Sequence, residues 1–407
     1  MVAHKPGILI LTPVFAPNIG GVETHLSDLC RVLSNKFHVL VLTYQPITTK
    51  AKAPRYEIKN NIEIFRFPWF GKGLLHIIER SPLFEFIYLS FGLLIYSTFF
   101  MIFSASRRKY VNIIHAHGLA AAFVAYFLSF FLKKDYVVSI HWIIGLKNKP
   151  FIAKGVNIIL RSAKAILTLS NASKEELISA GLPSHKVKVF RYWVDLIRFK
   201  PFDKLICKKY TFLYNKFVVL FVGRLIEVKG IKLIIEAAKR LSHMADIVFV
   251  IIGEGPLQDY VAYESLKWTN IKYLGSISNE RLPLYYSAAD VVIVPSIYEE
   301  GYGRVILEAL ACGTPVIASR KGGIPEALHF SVGVLIEPKV DDIVKAVKEL
   351  YEDNIKYSSL RNECRLYAER MFSEKNADTI IKEYENIIKN VRKKKYKHSY
   401  NSKRNFR

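Results

Sequence analysis

Glu300 and Glu308 stand with seven residues between them inside the block Pro295–Val316. Carboxylates accept hydrogen bonds from paired hydroxyls, so two of them beside one loop suit a sugar or a ribose. Gly301 and Gly303 let the backbone of that loop, with Tyr302 between them, come close to a ligand. A helix is expected from about Arg304 to Gly313, and its N-terminus offers free N–H groups and a positive dipole end to a phosphate. Glu308 lies one turn into that helix, on a face otherwise made by Val305, Ile306, Ala309, Leu310 and Cys312. A carboxylate there is costly without a partner. Read singly, Glu308 is a surface glutamate on an ordinary helix; its frame argues otherwise.

Other blocks carry related chemistry. Gly223-Arg224-Leu225 is followed by Lys229-Gly230, placing two cations after a strand. Gly253-Glu254-Gly255 and Gly322-Gly323 are further strand-end glycine turns. Near the start of the chain, Gly20-Gly21-Val22-Glu23 follows the first strand and opens a helix, again a helix start suited to an anion. In His115-Ala116-His117-Gly118, strand alternation puts His115 and His117 on one face, with His117 at the ligand-facing end. Ser139-Ile140-His141-Trp142 ends the next strand and is assigned no chemistry.

The elements that must hold these groups follow from patterning. Short apolar runs occur near Ile8–Leu11, Val39–Thr43, Ile62–Phe67, Ile113–His115, Tyr136–Ile140, Ala165–Leu169 and Val187–Phe190. After a polar, basic break at Phe199–Tyr214 they resume near Phe217–Val222, Ile247–Ile252, Ile271–Leu274, Val291–Val294, Val316–Ser319 and Val332–Ile336. Continuous apolar strands alternating with amphipathic helices predict parallel sheets covered on both faces. The reading is two α/β domains, each Rossmann-like and doubly wound: residues 1–198 and residues 199–373. A final helix is expected over 374–392, then a basic tail over 393–407, which reads first as a solvated, disordered end and second as a contact for an anionic surface.

The 407 residues are enough for two or three domains and need no disulfide or metal staple. With 51% hydrophobic and 23% charged residues, disorder and fibrous classes are excluded. The four cysteines are widely spaced, which argues against a zinc site and a disulfide scaffold. No secretory signal is evident, so a reducing cytoplasmic compartment is expected. Lys and Arg number 59 and Asp and Glu 35, a net charge of +24 that favours an anionic partner. Basic stripes interleaved with aromatics are not seen, so nucleic acid is not expected as that partner. Phe86–Ala105 is twenty residues without a charge, followed by Arg107, Arg108 and Lys109, and Leu119–Leu132 is a second apolar stretch. The strands on either side of the first stretch must share one sheet, so it cannot span a bilayer. It is either a helix covering the sheet or a helix lying in an anionic membrane surface.

The Glu300–Glu308 frame, with the glycine blocks in this order, resembles the family-4 retaining glycosyltransferases (glycosyl transferases group 1), from about Gly7 to Lys389. The resemblance implies the GT-B fold, two Rossmann-like domains facing a cleft, with the last helix returning to the first domain. It implies transfer of a hexosyl unit from a nucleoside-diphosphate sugar, with retention, to a glycan or lipid-linked acceptor. In its terms Arg224 and Lys229 stabilise the departing diphosphate and Glu300 orients the sugar hydroxyls. Glu308 holds the ribose, and Gly223, Gly253, Gly301, Tyr302 and Gly303 line the donor. Gly20, Gly21, Glu23 and His117 face the acceptor and the reacting sugar. No cofactor and no metal are expected, because no Asp-x-Asp occurs and the cations can carry the leaving-group charge. One departure is Arg191-Tyr192-Trp193-Val194-Asp195, where the family often has Pro-Asn-Gly-Val-Asp. Left open are a non-enzymatic sugar-nucleotide-binding protein and, more distantly, a glycan phosphorylase, although nothing marks a pyridoxal-phosphate lysine.

Overall fold

The computed structural model describes residues 5–404 except 19, 50, 70–80 and 148, and the side chains of 392 and 394–404 lie outside the description. The chain forms two compact units, one of residues 1–190 and 376–407, the other of residues 191–375.

The first unit holds eight strands: β1 (Gly7–Leu11), β2 (His38–Tyr44), β3 (Tyr56–Lys59), β4 (Ile62–Phe67), β5 (Val111–His117), β6 (Asp135–Ile140), β7 (Ala165–Thr168) and β8 (Val187–Val189). Their order is β3-β4-β2-β1-β5-β6-β7-β8. Every pairing is parallel except β3 with β4. That hairpin departs from the all-parallel expectation, and its strand β3 was not among the predicted runs. Tyr56–Lys59 is short and half polar, so it carries no apolar run. Its turn is legible in retrospect: Asn60 and Asn61 both take positive φ, 51° and 61°, as a two-residue hairpin turn of the primed kind requires. The buried strands pack against helices whose inner residues include Leu93, Met101, Val124, Leu128 and Leu160.

The helix over Pro82–Phe103 lies antiparallel to β4. Tyr96 stacks on Phe67 with ring centroids 5.1 Å apart, and Phe100 meets Phe65 at 4.7 Å. Both β4 and β5 belong to the same sheet, so this helix covers the sheet and does not cross a bilayer.

The chain returns to the first unit through a short turn, Glu374–Ala377, and a helix over Asp378–Arg404. Ile380 and Tyr384 of that helix are fully buried, and Lys188 pairs with Glu383 at 2.9 Å. The expected end near Lys393 is corrected: the helix continues to Arg404, and only residues 405–407 of the predicted tail lie outside the described residues. Residues 393–404 contain no Gly or Pro to stop a helix, and Lys and Arg are good helix formers.

The second unit is a six-stranded, wholly parallel sheet: β9 (Phe217–Val222), β10 (Ile247–Ile252), β11 (Ile271–Tyr273), β12 (Val291–Val294), β13 (Val316–Ser319) and β14 (Gly333–Ile336), in the order β11-β10-β9-β12-β13-β14. The polar, basic break read from the sequence is not a loose linker. It contains a helix, Lys204–Tyr210, capped by Asp203. Lys204 and Lys208 both pair with buried Asp290, Lys208 at 2.7 Å. A buried carboxylate needs such cations, so the basic residues are tied into this unit. The segment that departs from the family pattern belongs here too. Trp193 and Val194 are fully buried, and Val194 N–H donates to Phe372 O at 3.1 Å.

Candidate functional site

In open α/β sheets ligands bind outside the carboxyl ends of strands, at the point where the strand order reverses. In the second unit that point lies between β9 and β12, which pair through Val219 with Val291 and Leu220 with Val292. The Gly223–Lys229 segment follows β9, and the Pro295–Gly303 loop follows β12. The two loops are stitched together: Ile297 N–H donates to Val228 O at 2.8 Å. Gly230 has φ +76°, and a Cβ there would lie 2.2 Å from Pro295 O, so only glycine permits this approach.

This stitching brings Lys229 onto Glu300, where the ammonium and carboxylate form an ion pair. Ser296 Oγ donates to the other Glu300 oxygen at 2.6 Å. The Lys229 ammonium also lies 5.1 Å from the centre of the Tyr298 ring. Burial alone would lower the Lys229 pKa; Glu300 and Tyr298 override it, and the group ends above the ordinary lysine value. Lys229 is therefore a fixed positive charge. Glu300 is fixed from behind as well: Gly323 N–H donates to Glu300 O at 2.7 Å. Gly322, with φ +54°, presses so closely that a Cβ would come within 2.2 Å of the same oxygen. The Gly322-Gly323 turn thus braces the glutamate loop.

Gly253 has a similar part. Its N–H donates to Gly275 O at 2.8 Å, and a Cβ on it would sit 1.8 Å from Gly223 O. Gly223 N–H in turn donates to Ile252 O at 3.0 Å. Arg224 is exposed on this loop. Gly303 caps the helix Arg304–Ala311 with φ +77°. Tyr302 is buried between Tyr192 and Phe372, with ring centroids 6.3 and 6.2 Å away, so its side chain is core and only its backbone can serve a ligand. Gly301 is buried in the same loop.

Glu308 has partners that the sequence did not disclose. Tyr286 OH donates to one carboxylate oxygen at 2.9 Å, and Arg304 Nε donates to the other at 3.0 Å. All three residues are buried.

In the first unit the order reverses between β1 and β5, which pair side by side. Gly20 precedes the helix Gly21–Leu33. The Glu23 carboxylate folds back over it, so that a Cβ on Gly20 would meet Glu23 Oε2 at 2.3 Å. His117 ends β5 beside this helix start. His115 is held within the fold by Tyr384 OH and by Ser139 Oγ, the latter at 2.8 Å. His117 Nδ1 lies 3.0 Å from His141 Nε2, and the two rings stack with centroids 5.2 Å apart. The His25 ring approaches His141 at 5.6 Å. His141 and His25 were missed as neighbours of His117. The signal for His141 was its place at the end of the strand next to β5; for His25, helical spacing alone gave none.

Burial pushes the pKa values of His115 and His141 down to about 3 and that of His117 well below the ordinary value. The neighbouring rings add to the effect on His117. These rings are neutral in the folded chain, whereas in the unfolded chain they take up protons below about pH 6.5. The unfolded state therefore binds more protons as pH falls through that value, and stability falls with it. Urea unfolding of the first unit is expected at a lower midpoint near about pH 5 than at neutral pH. His141→Phe should flatten that dependence, and an equal slope in variant and parent would exclude the rings as its source. Among the described residues, no three His, Cys, Asp or Glu side chains form a group that could hold a metal ion.

Two α/β sheets, each mainly parallel and reversed in strand order, give the chain the GT-B fold. Residues 19–198 match the model of Glycosyltransferase Family 4, and residues 204–371 match that of Glycosyl transferases group 1. The chain belongs to the family-4, group 1 glycosyltransferases, and is a glycosyltransferase. It is 28% identical to an uncharacterized glycosyltransferase of Methanocaldococcus jannaschii, over 83% of this chain and 86% of that one. It is 26% identical to the GPI3 subunit of phosphatidylinositol N-acetylglucosaminyltransferase from Saccharomyces cerevisiae, over 84% of this chain and 74% of the relative. Among solved structures, Anabaena HepE in complex with UDP-glucose superposes with a TM-score of 0.71 at 21% identity, covering 95% of this chain and 99% of that one. Sucrose-phosphate synthase of Thermosynechococcus elongatus gives 0.77 at 21% identity, covering 94% and 99%.

Proposed function

We propose that the protein moves a hexosyl unit from a nucleoside-diphosphate sugar to a lipid-linked or glycan acceptor, with retention at the anomeric carbon, at the cytoplasmic face of a membrane. The observation that carries this reading is the Lys229–Glu300 pair, fixed by Ser296 where the strand order of the second sheet reverses. A carboxylate held beside a fixed cation suits a sugar whose hydroxyls bind one group while its diphosphate meets the other. In the reaction the anomeric C–O bond to the diphosphate breaks and a bond to the acceptor oxygen forms on the same face. The acceptor proton passes to a phosphate oxygen of the leaving group. Arg224, Lys229 and the helix start at Arg304 stabilise the charge that develops there, so the proposal invokes no metal. Glu308 holds the ribose, and Gly20, Gly21, Glu23 and His117 serve the acceptor and the reacting sugar. The lipid-linked acceptor is supported by the relative whose name gives phosphatidylinositol as its substrate.

A panel of UDP- and GDP-sugars, incubated with membrane lipid extract, tests the reading. Nucleoside diphosphate should be released from one donor and not in Glu300→Ala or Arg224→Ala. Donor binding without turnover across the panel and several lipid and glycan acceptors would turn the reading to a binding protein.

A further inference from the structure

The Pro82–Phe103 helix is apolar on its outer side as well as its inner one. Its inner side carries Tyr88, Ser90, Gly92 and Ser97, all buried, and Gly92 lets Trp69 close onto it. Its outer side carries Phe84, Ile87, Phe91, Ile95, Phe99 and Ile102, all exposed, at spacings of three and four that make one stripe. The crossovers β4 to β5, β5 to β6 and β6 to β7 all advance the same way across the sheet, so their helices lie on one face. The neighbouring helices there, Leu119–Leu132 and Pro150–Arg161, also expose apolar side chains, Phe130 at 80% and Phe151 at 91%. An apolar surface of this extent is not left to water without a use.

The charge around it selects the occupant. From residue 86 to residue 164 there are ten Lys or Arg and one acid, Asp135. Lys109, Lys133 and Lys134 follow the C-terminal ends of two of the helices, and Lys149 and Lys154 flank Phe151. Apolar side chains bordered by cations at both ends fit the headgroup region of an anionic bilayer. We infer that this helical face is the surface by which the protein lies on anionic lipid. The helix starts at Pro82 and Pro150 follow strand C-terminal ends, the same edge that carries Gly20, Gly21 and His117. A lipid-borne acceptor therefore reaches these residues along the bilayer surface; that last step rests on the proposed function, and the docking surface does not.

Flotation of the full chain with phosphatidylcholine vesicles, with and without phosphatidylglycerol, tests the inference. Binding to the mixed vesicles at low salt is expected. Phe91→Glu/Phe99→Glu should abolish it with unchanged far-ultraviolet circular dichroism, and Lys133→Glu/Lys134→Glu should weaken it by about 30-fold or more. No binding by the parent chain, or equal binding by the phenylalanine variant, would overturn the inference. So would a dimer that the phenylalanine variant dissociates without change in vesicle binding. Nucleoside-diphosphate release measured on the same preparations with detergent-dispersed lipid extract and glycan acceptors, in the absence of vesicles, separates the two readings. Turnover without vesicle binding sinks the surface alone, and vesicle binding without turnover sinks the reaction alone.

Discussion

Lys229→Ala is expected to slow nucleoside-diphosphate release by about 10²–10³-fold, the usual cost of removing one group that stabilises developing charge. The size follows from how the lysine is held. It is a fixed cation, raised above its ordinary pKa by Glu300 and Tyr298 against the effect of burial. Its position depends on Val228 and Gly230 meeting the Pro295 loop, not on its own flexible stem. Lys229→Arg should recover little, because a planar fork does not replace a compact point charge in this space. The alternative is that Lys229 acts only by positioning Glu300. The double variant Lys229→Ala/Glu300→Ala decides this: a loss equal to that of Glu300→Ala alone would assign the whole effect to positioning. Single-turnover release under saturating donor is the measurement. A loss below tenfold would remove Lys229 from the charge-stabilising role.

Glu308→Ala is expected to destabilise the second unit by about 3–5 kcal/mol, because it removes the carboxylate from a buried ion pair. Arg304 and Tyr286 both face that carboxylate, and both are buried. Glu308→Gln should cost less, since the amide oxygen still accepts one of the two hydrogen bonds. The pair of variants separates the two functions of this glutamate. In Glu308→Gln the unit should stay folded while donor affinity falls, if the carboxylate also holds the ribose. Urea unfolding of the second unit and isothermal titration with UDP-sugar are the measurements. A Glu308→Ala midpoint equal to that of the parent would show that Arg304 and Tyr286 find other partners.

Both predictions turn in part on partners that lie far from Glu300 and Glu308 in sequence, although Arg304 is only four residues from Glu308. Lys229 is 71 residues from Glu300, and Tyr286 is 22 from Glu308. The motifs placed the chemistry on strand-end loops, and the apolar runs placed the strands, because both signals are local. They did not say that β9 neighbours β12. That adjacency makes the two loops one site, and it comes from sheet order. The requirement that Glu308 have a partner was legible from its apolar helix face, and Arg304 lies one turn before it; that Tyr286 is the second partner was not legible.

The local failures have similar causes. Strand β3 has too few apolar residues to register as a run, and only pairing with β4 makes it a strand. The Phe199–Tyr214 stretch reads as a linker because it is polar and basic. Lys204 and Lys208 are instead satisfied by Asp290, which no local pattern connects to them. His141 is marked along the chain only by its place at a strand end, and β5–β6 pairing is what sets its ring against His117.

The sequence alone therefore determined the parallel α/β class, the family, the glycine loops and the charged residues of the site, since periodicity and motif spacing are written along the chain. Tertiary structure alone decided which of those residues meet, which buried charges neutralise one another, and which side of the Pro82–Phe103 helix faces outward. Each of these depends on strand order and burial, and neither is encoded in neighbouring residues.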